Sequence, residues 1–209
     1  MVTIFGSASV YYAPVSIVGV GLLLDQSSVG RLSEFRERWR GTLLGAPFGT
    51  SENAPHITLY QFPVNATQVP ELPLHIPRQS VTWGELLWQP TDWAFATTLT
   101  DSWIVDPQRY VMRQLFEFMD PYQLRRKDEL VGYTPSEKLQ YLATGYRYSG
   151  ESFRPHVTMG RLAIPIRETF LDAVSDFSRM FAGTTAMCER AVLYRAGARG
   201  SISRVLATD

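Results

Sequence analysis

Two of the three histidines lie in the same local pattern, which is the strongest sign of chemistry in this 209-residue sequence. Residues 55–58 read PHIT and residues 155–158 read PHVT, and an apolar residue follows each motif. A single His-x-Thr is most often ordinary strand structure. With only 13 prolines in the chain, a proline before both histidines is improbable by chance. The duplication therefore favours a shared function.

The spacing of each motif predicts a polar face on a β-strand. Side chains alternate along a strand, so a histidine and a threonine two residues apart share one face, while the residues between and after them point into a core. Prolines suit the first position of a strand. If the two strands face each other, two imidazoles and two hydroxyls line one groove, contributed by His56, Thr58, His156 and Thr158.

This set of groups suits the cleavage of a phosphodiester. An imidazole with a pKa near its ordinary value of about 6.5 can take or give a proton at neutral pH. One histidine would accept the proton of the attacking oxygen and the other would protonate the leaving oxygen, and each such step contributes typically 10²–10⁴-fold. The threonine hydroxyls would donate to the phosphate oxygens. The residues alone do not say which histidine is the base.

Other catalytic classes find little support in the sequence. Two histidines without an adjacent carboxylate or cysteine cluster do not make a zinc site, and no G-x-S-x-G serine motif occurs. We therefore expect chemistry that uses no metal and no cofactor.

The paired motifs, about 100 positions apart, resemble those of the two-histidine (2H) phosphoesterase superfamily. The resemblance implies a metal-independent phosphodiesterase without a cofactor, in which both histidines and both threonines of the motifs are catalytic. It favours His56 as the acid and His156 as the base in hydrolysis of a cyclic phosphate. The substrates that it implies are a 2′,3′-cyclic phosphate, a 2′-5′ linkage or a cyclic oligonucleotide signal.

The same resemblance implies an α+β fold. It predicts one bilobal, pseudo-twofold domain over residues 1–209, in which two antiparallel sheets line a central groove and helices lie outside. Lobe one would span about 1–80 and lobe two about 81–209. Residues 120–150 depart from the family pattern as an insertion that is basic and rich in tyrosine, and long insertions often form lids or specificity loops.

Further residues near the motifs are candidates for substrate binding. Tyr60 continues the face of the first motif, and Arg154 precedes the second histidine on its face. Arg161 follows the second motif, and by strict alternation it needs a β-bulge to reach the groove. Tyr146 or Tyr148 would stack on a base, since such stacking contributes about 1–3 kcal/mol.

Charge balance bears on the kind of ligand. Lys+Arg and Asp+Glu both number 20, and the pI is about 6.8. Proteins that grip a long nucleic-acid backbone usually carry a basic surplus, so we expect a small nucleotide or short oligonucleotide, with processing of RNA ends by a 2′-5′ ligase/cyclic phosphodiesterase as an alternative. A module that binds or sequesters nucleotides without cleaving them remains a second alternative. No protein partner is indicated.

Composition also bears on location. The single cysteine, Cys188, cannot form an internal disulfide, and residues 1–24 contain no charged side chain but several serines and tyrosines. We expect an extended lead-in followed by a buried strand, no membrane span, and a cytoplasmic protein.

Hydrophobic periodicity and turn residues place the elements around the motifs. A Thr134/Glu137 capping box predicts the start of a helix that ends at Gly145. Prolines between residues 62 and 80 indicate a linker. Strands are predicted at 16–24, 55–61, 92–100, 154–162, 187–195 and 202–207, and helices at 28–43, 107–119, 135–144 and 168–181.

Overall fold

The computed structural model of the protein describes residues 16–45, 48, 53–65, 70–71, 78–89, 92–100, 102–163, 167–197 and 201–209. The expected lead-in before residue 16 and the third histidine, His75, lie outside these ranges. The strands are β1 (Ser16–Leu24), β2 (Leu43–Leu44), β3 (His56–Val64), β4 (Gln79–Trp88), β5 (Trp93–Thr98), β6 (His156–Leu162), β7 (Thr185–Ala196) and β8 (Ile202–Thr208). The α-helices are α1 (Gln26–Arg38), α2 (Ser102–Leu115), α3 (Pro135–Thr144) and α4 (Arg167–Phe181), and single 3₁₀ turns occur at 116–118, 121–123, 127–129 and 150–152.

These strands form one antiparallel sheet, which confirms the predicted α+β class. Their order is β2-β6-β5-β4-β7-β1-β3, and β8 pairs with β7. The long strand β4 pairs with β7 through Thr82 and with β5 from Trp83 onward. Although β3 and β6 lie near opposite ends of this order, they contact each other. The sheet therefore curves back on itself and brings the two motif strands together.

The core contains an aromatic cluster between the sheet and two helices. Phe35 of α1 meets Phe177 and Phe181 of α4 edge-on at 5.3 and 6.0 Å, and Trp83 of β4 packs on the same two rings. Edge-to-face pairs of this kind add about 0.5–1.5 kcal/mol each beyond their buried area. The buried carboxylate of Asp176 accepts hydrogen bonds from both α1 and its C-cap, so the helices are fixed to each other as well as to the sheet.

The ends of two predicted helices were wrong. Helix α1 begins at Gln26 and not at residue 28, because Asp25 caps it by accepting a hydrogen bond from the Ser28 amide. The helix ends at Arg38 and not at residue 43, since residues 43–44 join the sheet beside β6. Helix α2 begins at Ser102 and not at the proline, so Pro107 lies inside it and the helix lacks one backbone hydrogen bond.

The predicted capping box and the closing hairpin are confirmed. The Thr134 hydroxyl accepts from the Glu137 amide at 3.2 Å, the Glu137 carboxylate accepts from the Thr134 amide at 2.9 Å, and Gly145 ends α3 in the left-handed conformation. Strands β7 and β8 pair antiparallel, and the Gly197 amide donates a hydrogen bond to the Ser201 carbonyl. Among the helices that the structure describes, none is long and apolar enough to cross a membrane.

Candidate active site

The two motifs begin matching strands of the sheet. His56 is the first residue of β3 and His156 is the first residue of β6. The apolar residues that alternate with the histidines and threonines are fully or almost fully buried: Ile57, Leu59, Val157 and Met159. This confirms the predicted faces.

Both motif strands also carry a β-bulge at the same place. Leu59 has no paired residue on β1, and Met159 has none on β5, so each strand contains one extra residue three positions after its histidine. A bulge bends a strand and changes which side chains follow on each face. The repeat is thus present in the backbone as well as in the sequence.

A cavity of about 540 Å³ brings the four motif side chains together. This volume lies within the range of small-molecule sites. Its lining includes two arginines, Arg125 and Arg147, and none of the described residues that line it is acidic. The cavity therefore favours an anionic ligand, although the whole chain carries no net charge. The motif residues that line it are His56, Thr58, His156 and Thr158.

The same backbone contact orients both imidazoles. The Nδ1 atom of His56 lies 2.9 Å from the Ala54 carbonyl oxygen, and that of His156 lies 2.6 Å from the Arg154 carbonyl oxygen. A carbonyl oxygen can only accept, so Nδ1 carries the proton in each ring. The Nε2 atom of each histidine is consequently the nitrogen that exchanges protons with a ligand.

The rings differ in their surroundings. His156 is buried, stacks on Phe95 at 3.9 Å and meets Tyr148 edge-on at 5.0 Å. Burial lowers its pKa to about 4 despite the opposing hydrogen bond to the Arg154 carbonyl. His56 is half-buried, and burial also lowers its pKa. Both imidazoles are therefore neutral at pH 7 in the protein alone, and a bound phosphate anion would raise both pKa values.

Tyr194 supports the first motif and was not predicted from the sequence. Its ring lies edge-on to His56 at 5.1 Å, and its hydroxyl oxygen is 3.2 Å from that of Thr58. The ring belongs to β7 and crosses β1, where a β-carbon on Gly19 would lie 2.5 Å from it and one on Gly21 would lie 3.3 Å from it. Two glycines on one face of β1 are the sequence signal for this crossing.

The structure separates the candidates for substrate binding. Tyr146 lines the cavity, and its hydroxyl approaches that of Thr58. Tyr60 does not line it: it is fully buried and donates to the Thr144 carbonyl at 2.5 Å, because the bulge at Leu59 ends the alternation. The cavity receives Gln61 instead.

The two predicted arginines also lie apart from the cavity lining. Arg154 is exposed, and its backbone carbonyl holds the second histidine. Arg161 follows a bulge, as its prediction required, but its side chain is 47% exposed and pairs with Asp92 at 3.6 Å. The cations that do line the cavity, Arg125 and Arg147, come from the insertion.

Arg147 is the most firmly held of the charged side chains in the cavity. Its guanidinium donates to the Glu137 carboxylate at 3.0 Å and lies over the rings of Tyr133 and Tyr148 at 4.1 and 4.6 Å. The capping box of α3 fixes the same carboxylate. The capping box that begins α3 thus also positions the Arg147 guanidinium at the cavity.

Within the described ranges, no three His, Cys, Asp or Glu side chains come together as a metal-binding group. Comparison of the chain with models of known protein families and with curated proteins gives no match.

Proposed function

We propose that this protein is a metal-independent phosphodiesterase that acts on a nucleotide or short oligonucleotide. One observation carries the proposal: two imidazoles with Nδ1 anchored to the backbone and two threonine hydroxyls line a single cavity whose charged residues are cationic. A phosphodiester is an anion that needs one proton accepted and one donated, and this set supplies both.

The surroundings of the two histidines support an assignment of roles. His156 is the more buried ring, with a pKa of about 4, so it is neutral and takes a proton from the attacking water. His56, protonated once the phosphate charge is present, gives its proton to the leaving oxygen as the P–O bond breaks. Thr58 and Thr158 donate to the two non-bridging oxygens as negative charge builds there.

The finer features of the 2H fold belong to the same proposal. Strand β4 pairs with β7 through Thr82 and with β5 from Trp83 onward. We infer that the two parts of the sheet on either side of this point are the two lobes of the fold. The matching bulges at Leu59 and Met159 and the contact between β3 and β6 support a pseudo-twofold arrangement.

The test is turnover in the presence of EDTA against a panel of phosphodiesters: 2′,3′-cyclic nucleotides, 2′-5′ and 3′-5′ oligonucleotides, and cyclic di- and trinucleotides. His56→Ala and His156→Ala should each lower kcat by roughly 10²–10⁴-fold. His75→Ala replaces the third histidine, to which the sequence assigns no role, and serves as the matched control. The folded state of each variant is checked by circular dichroism.

The outcomes separate the competing functions. Cleavage of RNA ending in a cyclic phosphate, in preference to small cyclic nucleotides, would favour the RNA-processing alternative. Binding of panel members without turnover would favour a sequestering module. Turnover that both alanine variants retain would refute the two-histidine mechanism.

A further inference from the structure

Two arginines and two tyrosines of the insertion line the cavity besides the motif residues. We call them the arginine–tyrosine cluster, and its members are Arg125, Tyr133, Tyr141 and Arg147. All four keep part of their surface accessible, since Arg125 is exposed and the other three are half-buried. The proton transfers and threonine contacts of the proposed mechanism use none of these side chains, so the cluster is available to a different part of a ligand.

Direct contacts hold the cluster together. The Tyr133 and Tyr141 rings meet edge-on at 5.8 Å, and the Arg147 guanidinium lies 4.1 Å from the centre of the Tyr133 ring. The Arg125 amide donates to the Tyr141 hydroxyl at 3.2 Å, which ties its backbone to α3. That hydroxyl accepts the bond and keeps its own proton for another acceptor. Burial raises the pKa of Tyr133, and the guanidinium groups of Arg147 and Arg125 both oppose the rise, so both cations lie near one hydroxyl.

The charges of the two arginines are balanced differently. Arg147 pairs with the Glu137 carboxylate at 3.0 Å. Arg125 pairs with no carboxylate of the described residues, whereas its neighbour Arg126 pairs with two acidic side chains at 3.7 and 3.6 Å. The cluster therefore carries one uncompensated positive charge beside hydroxyl protons that can donate. An anion with several acceptor oxygens matches these groups.

We propose that the arginine–tyrosine cluster is a second phosphate-binding subsite, and that the preferred substrate carries a phosphate there besides the phosphodiester that is cleaved. The inference rests on the proposed function and narrows its substrate to an oligonucleotide or to a nucleotide with a further phosphate group. A nucleoside 2′,3′-cyclic phosphate has one phosphate and would occupy only the motif site. Guanidinium groups suit phosphate because their N–H donors match its acceptor oxygens.

The position of the cluster agrees with two phosphates in one ligand. The Tyr148 ring meets His156 edge-on at 5.0 Å, and the Arg147 guanidinium lies 4.6 Å from the centre of the same ring. One tyrosine thus contacts both the second motif and the cluster. Burial is the main cause of the low pKa of His156, and the charges of His56 and Arg147 add to it. The two sites are therefore neighbours in one cavity, as successive phosphates are neighbours along a nucleotide chain.

The experiment measures binding by calorimetry in a His56→Ala/His156→Ala background, so that no ligand is consumed. The first pair of probes are dinucleotides that end in a 2′,3′-cyclic phosphate and differ only in the internal linkage, which is a phosphodiester in one and an uncharged methylphosphonate in the other. The second pair are nucleoside 2′,3′-cyclic phosphates with and without a 5′-phosphate. Each pair is made with adenosine and with uridine, so that a base preference does not hide the effect.

The comparison within each pair isolates the second phosphate. In at least one pair, the probe with two phosphates should bind roughly five- to twentyfold more tightly at low salt. The difference should shrink when the salt concentration is raised to about 0.5 M, because the gain is electrostatic. The pair that shows the larger effect tells whether the subsite takes an internal or a terminal phosphate.

Variants then assign the preference to the cluster. Arg125→Ala should reduce it roughly two- to fivefold, because the uncompensated charge is lost, and Tyr141→Phe roughly two- to threefold, because the hydroxyl donor is lost. Both losses should be confined to the probes with two phosphates. Arg126→Ala is the matched control, since Arg126 is exposed, ion-paired and outside the cavity lining, and it should affect neither kind of probe.

The results that overturn the inference are distinct from those that overturn the proposed function. Equal affinity within both pairs, an equal loss for one-phosphate and two-phosphate probes in Arg125→Ala, or no binding of any probe would each refute the second subsite. Turnover by the unaltered protein with the same kcat/KM for one-phosphate and two-phosphate substrates would refute the subsite alone. A two-phosphate preference that depends on Arg125, without turnover on the full panel, would refute only the phosphodiesterase.

Discussion

Replacing Tyr194 with Phe tests whether its hydroxyl orients that of Thr58. The variant keeps the ring that crosses β1 and removes only the oxygen 3.2 Å from Thr58 Oγ1. If the tyrosine donates, the single threonine proton is free to point at a phosphate oxygen. Without the Tyr194 hydroxyl, the Thr58 proton samples three staggered positions, so the fraction of molecules in which it points at the phosphate falls about threefold. Tyr146 still approaches the hydroxyl, so we expect kcat to fall roughly three- to tenfold, well short of the 10²–10³-fold that follows loss of a whole donor.

Tyr60→Phe is the matched control. Both tyrosines are fully buried, but the Tyr60 hydroxyl donates to the Thr144 carbonyl and lies off the cavity. Each variant should lower the free energy of unfolding by about 1 kcal/mol, measured by urea denaturation. Only Tyr194→Phe should lower kcat in steady-state kinetics. Equal kcat in the two variants would show that Tyr194 acts through stability alone.

Three further predictions use matched variants or conditions. Gly19→Ala should lower the free energy of unfolding by about 1–3 kcal/mol, because the added β-carbon would lie 2.5 Å from the Tyr194 ring. Gly30 lies in α1 with open space around it, so Gly30→Ala is the control and should raise the free energy of unfolding by about 0.5–1 kcal/mol. Urea denaturation measures both changes. The pKa of His156 is about 4, so between pH 6.5 and pH 4 the unfolded chain binds a proton that the folded protein does not. The free energy of unfolding should therefore fall by up to about 3 kcal/mol as the pH is lowered through this range. His156→Gln should lose this part of the pH dependence, measured by denaturation at a series of pH values. Arg125 lines the cavity, so Arg125→Ala should raise KM roughly two- to fivefold at low salt and reduce the salt dependence of KM. Arg126 is exposed and pairs with nearby acidic side chains, so Arg126→Ala is the control and should change neither KM nor its salt dependence.

Local patterns in the sequence predicted the parts of the site that depend on a single strand. His56 and Thr58 share a face because they lie two residues apart before the bulge, and Ile57 is buried for the same reason. The bulge itself depends on pairing with β1, which the sequence of β3 does not specify. For that reason strict alternation selected Tyr60, and the cavity receives Gln61.

Contacts between distant elements could not be predicted in the same way. Tyr194 reaches the first motif across β1, and the residues of β1 that it crosses lie about 175 positions before it in the sequence. Glycines 19 and 21 mark the crossing, but nothing in the sequence says which ring fills the space. Likewise, the capping box predicted the position of Glu137 at a helix start, while its ion pair with Arg147 depends on how the chain turns after α3.

A duplicated motif would give two equivalent histidines, but acid–base catalysis needs two different ones. The difference comes from the aromatic neighbours. His156 is buried between Phe95 and Tyr148, which stabilises the neutral ring, whereas His56 is half-buried beside the Tyr194 ring. When an anion enters and raises both pKa values, the less buried ring is protonated first. In the proposed mechanism, the same pair of strands would therefore supply a base at His156 and an acid at His56, because unrelated parts of the chain cover each imidazole.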